Sequence, residues 1–240
     1  MTQTIIAFCV PQSDVYPFSF TRNGVLTGIN PDIIEQIFTE TRFPNVTIDF
    51  VKRPWKRCNA DLESGEVDMM IGGYDVDRKR VVYPSNLGFE LNDTVVSNAE
   101  VCFSTIAGRQ KQKTRLGMQG KTSFLVGIEA GFSKKHSPSI EPQWLVLFNP
   151  IEKYRMLEKG RVDAIVQVCA MDGLYPIETK AESKGFTNFE TLYPPYLSNP
   201  AYIIFSEKFA NTYQVLVKKI IVEAQNIDKA MLYERYKPSD

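Results

Sequence analysis

Leu62-Glu63-Ser64-Gly65-Glu66-Val67-Asp68 returns later in the chain as Leu157-Glu158-Lys159-Gly160-Arg161-Val162-Asp163. Each copy follows a stretch of helical character. Each runs into an apolar segment, Met69-Met70-Ile71 in the first and Ala164-Ile165-Val166 in the second. Leu-Glu-x closes a helix, and the glycine takes the left-handed position that a Cβ disfavours. Val-Asp then opens a strand too apolar to have a wet face. Two copies in the same helix-to-strand context predict two α/β lobes of similar build. Two lobes imply a cleft, and the cleft is where function is expected.

At 240 residues the length accommodates two small domains, and a 43% hydrophobic content supplies two cores. The formal net charge of zero disfavours a nucleic-acid or membrane-surface partner, both of which select a basic surface. The densest basic run, Arg109 to Arg115, is interleaved with Gln and Thr and reads as solvated loop. No apolar run approaches the roughly 20 residues of a membrane span. No leader-like segment precedes the first strand, so the chain is either cytoplasmic or an exported protein lacking its signal. Cys9, Cys58, Cys102 and Cys169 are too far apart for a Cys-x-x-Cys motif. They read first as small buried hydrophobes. If bridged, they pair within lobes, Cys9 with Cys58 and Cys102 with Cys169.

Outward from the repeat, strands and helices alternate. Strands are expected at Thr4–Val10, Val46–Val51, Phe124–Glu129, Leu145–Phe148 and Ala201–Phe205, with Thr94–Ser104 as the crossing segment. Helices are expected after an Asn30 cap with Pro31 in the first turn, over Pro54–Ser64, after Asn149-Pro150, near Ile177–Lys184, over Tyr213–Ala224 and near Ile227–Tyr236. Tyr193-Pro194-Pro195-Tyr196 reads as a loop. The alternation predicts mostly parallel sheets, whose ligands sit at the carboxyl ends of strands. Those ends fall at residues 11–18, 72–80, 130–134 and 167–172. The cleft candidates are aromatics (Tyr16, Phe18, Tyr74, Phe132, and Trp55, which opens a helix at a strand end after Pro54), cations (Arg78, Arg80) and a hydroxyl (Ser133). Arginine suits a carboxylate, and aromatic faces suit flat or cationic groups.

Catalytic constellations are poor. The sole histidine, His136, lies in a polar Lys-Lys-His-Ser-Pro stretch, which removes Ser-His-Asp and Cys-His schemes. Gly120-Lys121-Thr122 lacks the upstream glycine of a phosphate loop. No metal site or cofactor is expected.

Several motifs, in order, carry a family resemblance. Tyr16-Pro17-Phe18-Ser19-Phe20, Asn23 to Gly28 and Asp32-Ile33-Ile34 resemble the opening of bacterial extracellular solute-binding proteins of family 3, the periplasmic binders of polar amino acids. Leu62 to Gly73, Val126 to Ser133 and Gly160-Arg161-Val162-Asp163-Ala164 are similar to that family's later motifs. The resemblance implies a type II periplasmic-binding fold in which the chain crosses twice. Each lobe is then a mixed, mostly parallel sheet flanked by helices. Lobe one takes residues 1–95 plus 199–240, lobe two residues 96–198, with hinge strands near 94–98 and 197–201. It implies a monomeric, periplasmic protein, its signal peptide removed, that captures a small polar ligand bearing a carboxylate for the membrane subunits of an ABC importer. A ligand-sensing receptor module of the same fold is the alternative. An enzyme of the cyclohexadienyl dehydratase kind, with Glu129 or Asp75 as acid, is the lesser one.

Carried over by position, the resemblance places ligand contacts at Asp14 and Tyr16, Trp55, Gly72, Gly73 and Asp75, and in lobe two at Ser133. Tyr74 and Phe132 join them as the aromatic candidates at the same strand ends. The family's carboxylate-binding arginine falls on Arg80 counted forward from Gly72, or on Arg78 counted back from Ser85. The family's acid for an α-amino group is replaced by Val168, with Gln167 beside it as the polar candidate. The expected ligand is therefore an amino acid or related carboxylate held in a departure from the family's usual manner.

Overall fold

The computed structural model describes residues 3–73, 78–108, 125–129, 143–147, 150–171, 185–186 and 188–236. The chain divides into two compact units, Met1–Asn98 with Pro200–Asp240, and Ala99–Asn199.

In the first unit β1 (Thr4–Pro11) pairs in parallel with β4 (Val46–Arg53) and with β5 (Met69–Gly73). β5 pairs antiparallel with β11 (Phe189–Ser206), to which the short β6 (Val81–Val82) is added. A separate hairpin joins β2 (Phe20–Arg22) to β3 (Val25–Thr27) through Asn23-Gly24, both at positive φ (52° and 80°), as an Asn-Gly hairpin turn requires. In the second unit β8 (Leu125–Glu129) lies parallel to β9 (Gln143–Leu147) and to β10 (Ala164–Met171), and β10 is antiparallel to β7 (Ser97–Ile106). The strands of each unit therefore mix parallel and antiparallel pairing, and both units fit the type II architecture. The chain leaves the first unit within β7 and returns within β11.

The repeated phrase builds the same local structure twice. α2 (Trp55–Ser64) ends with Gly65 N–H on the Leu62 carbonyl (3.2 Å) and Glu66 N–H on the Asp61 carbonyl (2.8 Å). α3 (Pro150–Glu158) is followed by Gly160 N–H on Leu157 (3.0 Å) and Arg161 N–H on Met156 (2.8 Å). Both are Schellman closures, and both glycines are left-handed, at φ 75° and 64°. The aspartates then act alike. Asp68 exchanges backbone and side-chain bonds with Ala7, donating to its carbonyl (2.9 Å) and accepting its N–H at Oδ2 (2.8 Å). Asp163 does the same with Leu125, at 2.8 and 2.9 Å. Each carboxylate lengthens the parallel ladder by one bond at the strand's start.

The repeat's Leu and Val side chains anchor the cores. Leu62 and Val67 pack with Cys58, Met70 and Ile204 in the first unit, and Leu157 and Val162 with Ile106, Tyr154 and Ile165 in the second. The cysteines are not free thiols. Cys9 is bridged to Cys58 and Cys102 to Cys169, each pair within one unit.

Two local expectations need correction. The helix after residue 28, α1 (Ile29–Ile37), is not capped by Asn30: Gly28 is its N-cap, at φ 126°. Its free N–H groups are met from a distance, Ile29 and Asn30 by the carbonyls of Pro17 and Phe18 (3.0 and 2.9 Å) and Gly28 by the Tyr236 hydroxyl (3.1 Å). Those partners make a side-chain cap unnecessary. Tyr193 to Tyr196 is not a loop but part of β11. Leu192 is buried and Tyr196 and Leu197 pack on the second unit's core, so packing overrides the proline signal. A short helix that was not expected, α4 (Glu207–Thr212), capped by Ser206, precedes α5 (Gln214–Gln225) and α6 (Lys229–Glu234), which stand where helices are expected. The short helix expected near Ile177–Lys184 lies outside the described residues. Among the described residues no helix is long and apolar enough to cross a membrane.

Candidate functional site

In the first unit three parallel strands end together. Pro11 of β1 is in register with Arg53 of β4, and Gln12 N–H binds the Arg53 carbonyl at 2.7 Å. β5 ends beside them at Gly72-Gly73. α2 starts directly after β4, so Trp55, in its first turn, stands at this carboxyl edge, half-buried against the core.

Arg78 is held there by three hydrogen bonds. Its Nε donates to Asn59 Oδ1 (2.8 Å), and its Nη1 donates to the Gly73 carbonyl (2.6 Å) and the Tyr83 hydroxyl (2.8 Å). The guanidinium lies over Gly72, where an added Cβ would stand 3.5 Å from Nη2 and 3.3 Å from Ile204. The glycine pair thus admits the arginine close to the strand end. A guanidinium carries five N–H donors. Three are used, and among the described residues the two on Nη2 have no hydrogen-bond partner.

Arg80 is built differently. Its side chain is exposed, its φ is 53°, and its carbonyl accepts the Glu207 N–H that starts α4 (2.9 Å). The left-handed backbone turns the chain into β6.

Asp14 accepts the Thr21 N–H at 3.0 Å and is exposed. The Tyr16 phenol donates to the Tyr236 carbonyl (3.0 Å), and its ring packs on Phe20 at 5.0 Å. The Tyr236 hydroxyl in turn donates to Asp32 Oδ2 at 2.9 Å. Burial pushes the Tyr236 phenol above its ordinary pKa, and the Asp32 carboxylate adds to the shift. The loop after β1 is therefore tied to the last described residue of the chain.

Gln167 belongs to the second unit and is 3% exposed. Its amide nitrogen donates to Ser104 (2.6 Å) and Thr191 (3.0 Å), and its oxygen accepts from Tyr154 (3.1 Å). Every polar group of that side chain is spent inside the core. Tyr74, Asp75, Phe132 and Ser133 lie outside the described residues. The structure therefore groups Trp55, Gly72, Gly73 and Arg78 at one strand edge, sets Tyr16 in the C-terminal contact and buries Gln167.

Two members of the Arg78 cluster were not singled out from the sequence, Asn59 and Tyr83. An asparagine in mid-helix, one turn from an aromatic, was the available signal, since asparagine is a poor helix former without a specific partner.

Residues 8–98 match the family model of bacterial extracellular solute-binding proteins, family 3. This is the family that the motifs resemble, and the matched segment runs from β1 to the start of β7, taking in Trp55, the first repeat and Arg78. A comparison with curated protein sequences finds no match. Solved structures share the type II periplasmic-binding fold at low identity. An ancestral arginine-binding protein bound to arginine is 17% identical, with a TM-score of 0.66 over 99% of this chain and 100% of that one. The probable amino-acid ABC transporter extracellular-binding protein ytmK from Bacillus subtilis is 14% identical, with a TM-score of 0.64 over 98% and 97%. A histidine kinase sensor domain with similarity to periplasmic binding proteins is also 14% identical, with a TM-score of 0.65 over 98% and 96%.

Proposed function

We propose that this chain is a periplasmic solute-binding protein that captures a small carboxylate-bearing molecule, an amino acid or a relative, between its lobes and presents it to an ABC importer. The observation that carries the reading is Arg78, fixed by three acceptors at a strand's carboxyl end with two donors unspent among the described residues. Planar, charge-assisted donors are the usual partners of a carboxylate. The family match over the segment that holds Arg78 supports the reading. So do solved proteins of this fold described as amino-acid-binding components of ABC transporters. Two buried disulfides suit an oxidising compartment such as the periplasm. The protein works as a monomer and without chemistry of its own; ligand shifts the balance of states by its differential affinity.

A thermal-shift screen of amino acids and small organic acids tests this. A ligand at 100 times its Kd adds about 2.7 kcal/mol, which raises Tm by about 5–10 °C in a chain of this size. Arg78→Gln is expected to abolish the shift while the protein stays folded. A panel with no response, or a response that survives Arg78→Gln, argues against the proposal. A second reading, a sensor module, is favoured by the likeness to the histidine kinase sensor domain. A membrane span and a kinase encoded on the same polypeptide would decide for it.

A further inference from the structure

Resting on the proposed capture of a carboxylate by Arg78, we infer that Asn59 is the positioning residue that orients this guanidinium and keeps its charge unneutralised for an anionic ligand. The two ends of the Asn59 amide have different duties. Nδ2 donates to the Trp55 carbonyl one turn back, at 3.0 Å. That bond commits the donor end, so Oδ1 faces Arg78 and accepts from Nε at 2.8 Å. One side chain thus ties the backbone of Trp55 to the head of Arg78. The anchor does not drift, because the preceding residue, Cys58, is fully buried and bridged to Cys9 of β1.

The acceptors around Arg78 are an amide oxygen, a peptide carbonyl and a phenol. All three are neutral, and among the described residues no carboxylate pairs with this guanidinium. Among the described residues the arginine is therefore oriented without being neutralised. A buried or half-buried cation left in that state gains most from an anionic partner. An aspartate in place of Asn59 would reach the same Nε. It would also satisfy the charge before any ligand arrived, and it would lose the donor to Trp55. An alanine would remove the acceptor and free the guanidinium to turn.

The test compares wild type, Asn59→Ala and Asn59→Asp. In the ligand-free proteins, the Arg78 Nε–Hε resonance is followed by nitrogen-15 NMR, assigned with Arg78→Lys. Hydrogen exchange at that site is expected to speed up at least tenfold in Asn59→Ala and to stay slow in Asn59→Asp. Urea unfolding gives the stability of each variant. Calorimetric titration with L-glutamate and with succinate gives the affinities. Asn59→Asp is expected to bind the responding probe at least tenfold more weakly than Asn59→Ala while being no less stable. A merely structural asparagine would make affinity follow stability instead. Equal affinity of the two variants, or unchanged exchange at Arg78 in Asn59→Ala, overturns the inference. If wild type binds neither probe, the exchange result alone decides for or against Asn59, and the missing affinity counts against the proposed function.

Discussion

Asp68 shows how a single residue can be read in part from sequence. Its position after Gly-x-Val marks the start of a strand, yet nothing local says that its carboxylate receives the N–H of Ala7. Burial raises the Asp68 pKa above its ordinary value, against the lowering effects of that hydrogen bond and of Lys208. Folding therefore favours the protonated form. The sign follows from linkage: the stability this group contributes is fully present below the unfolded-state pKa and is lost as pH rises through the folded-state one. Asp68→Asn keeps an oxygen acceptor for Ala7 and removes the titration. In urea unfolding from pH 3 to 8, the stability of Asp68→Asn relative to wild type is expected to climb with pH from about 3.9 upward and then level off. A difference independent of pH contradicts this account. That a cation stands at this strand end was legible, because the strand is followed by Asp-Arg-Lys-Arg. What separates Arg78 from Arg80 is a positive φ and three distant acceptors, and sequence carries neither.

At the scale of elements, the helix closures are the most legible feature, since a left-handed Gly after Leu-Glu-x is dictated by the backbone alone. Alanine at either glycine meets the left-handed penalty, about 1–2 kcal/mol. The surroundings differ. A Cβ at Gly160 meets nothing within 4 Å, whereas one at Gly65 falls 2.9 Å from Lys208 Cδ and 3.0 Å from its Cβ. Gly160→Ala is expected to cost about 1 kcal/mol and Gly65→Ala clearly more, by chemical denaturation. Equal costs would mean that Lys208 yields freely. Helix starts were harder to read, because α1 takes its cap from Pro17, Phe18 and Tyr236 rather than from its own Asn30. Tyr236→Phe deletes the hydroxyl that serves Gly28 and Asp32. Unfolding measurements are expected to show a loss of about 1–3 kcal/mol. Amide exchange in residues 14–20 is expected to quicken; unchanged exchange there would show that the loop after β1 stands without this contact.

For the molecule as a whole, the repeated phrase makes the α/β class and the doubling of the lobe legible. It does so because each copy must close a helix, open a buried strand and feed a core with its Leu and Val. The long strand β11 is hidden from sequence, since Pro194 and Pro195 mimic a loop while packing of Leu192 and Leu197 keeps the segment extended. Gln167 is a polar residue at a strand end, and only the fold reveals that Ser104, Thr191 and Tyr154 already occupy its amide. The proposed function requires that a solute drawn to Arg78 be gripped from both units, with closure about the two crossing strands. Small-angle X-ray scattering of the protein alone, and then saturated with the compound giving the largest thermal shift, tests that claim most directly. A smaller radius of gyration on saturation, absent in Arg78→Gln, is the predicted result. An identical radius in both states, at proven saturation, would contradict it.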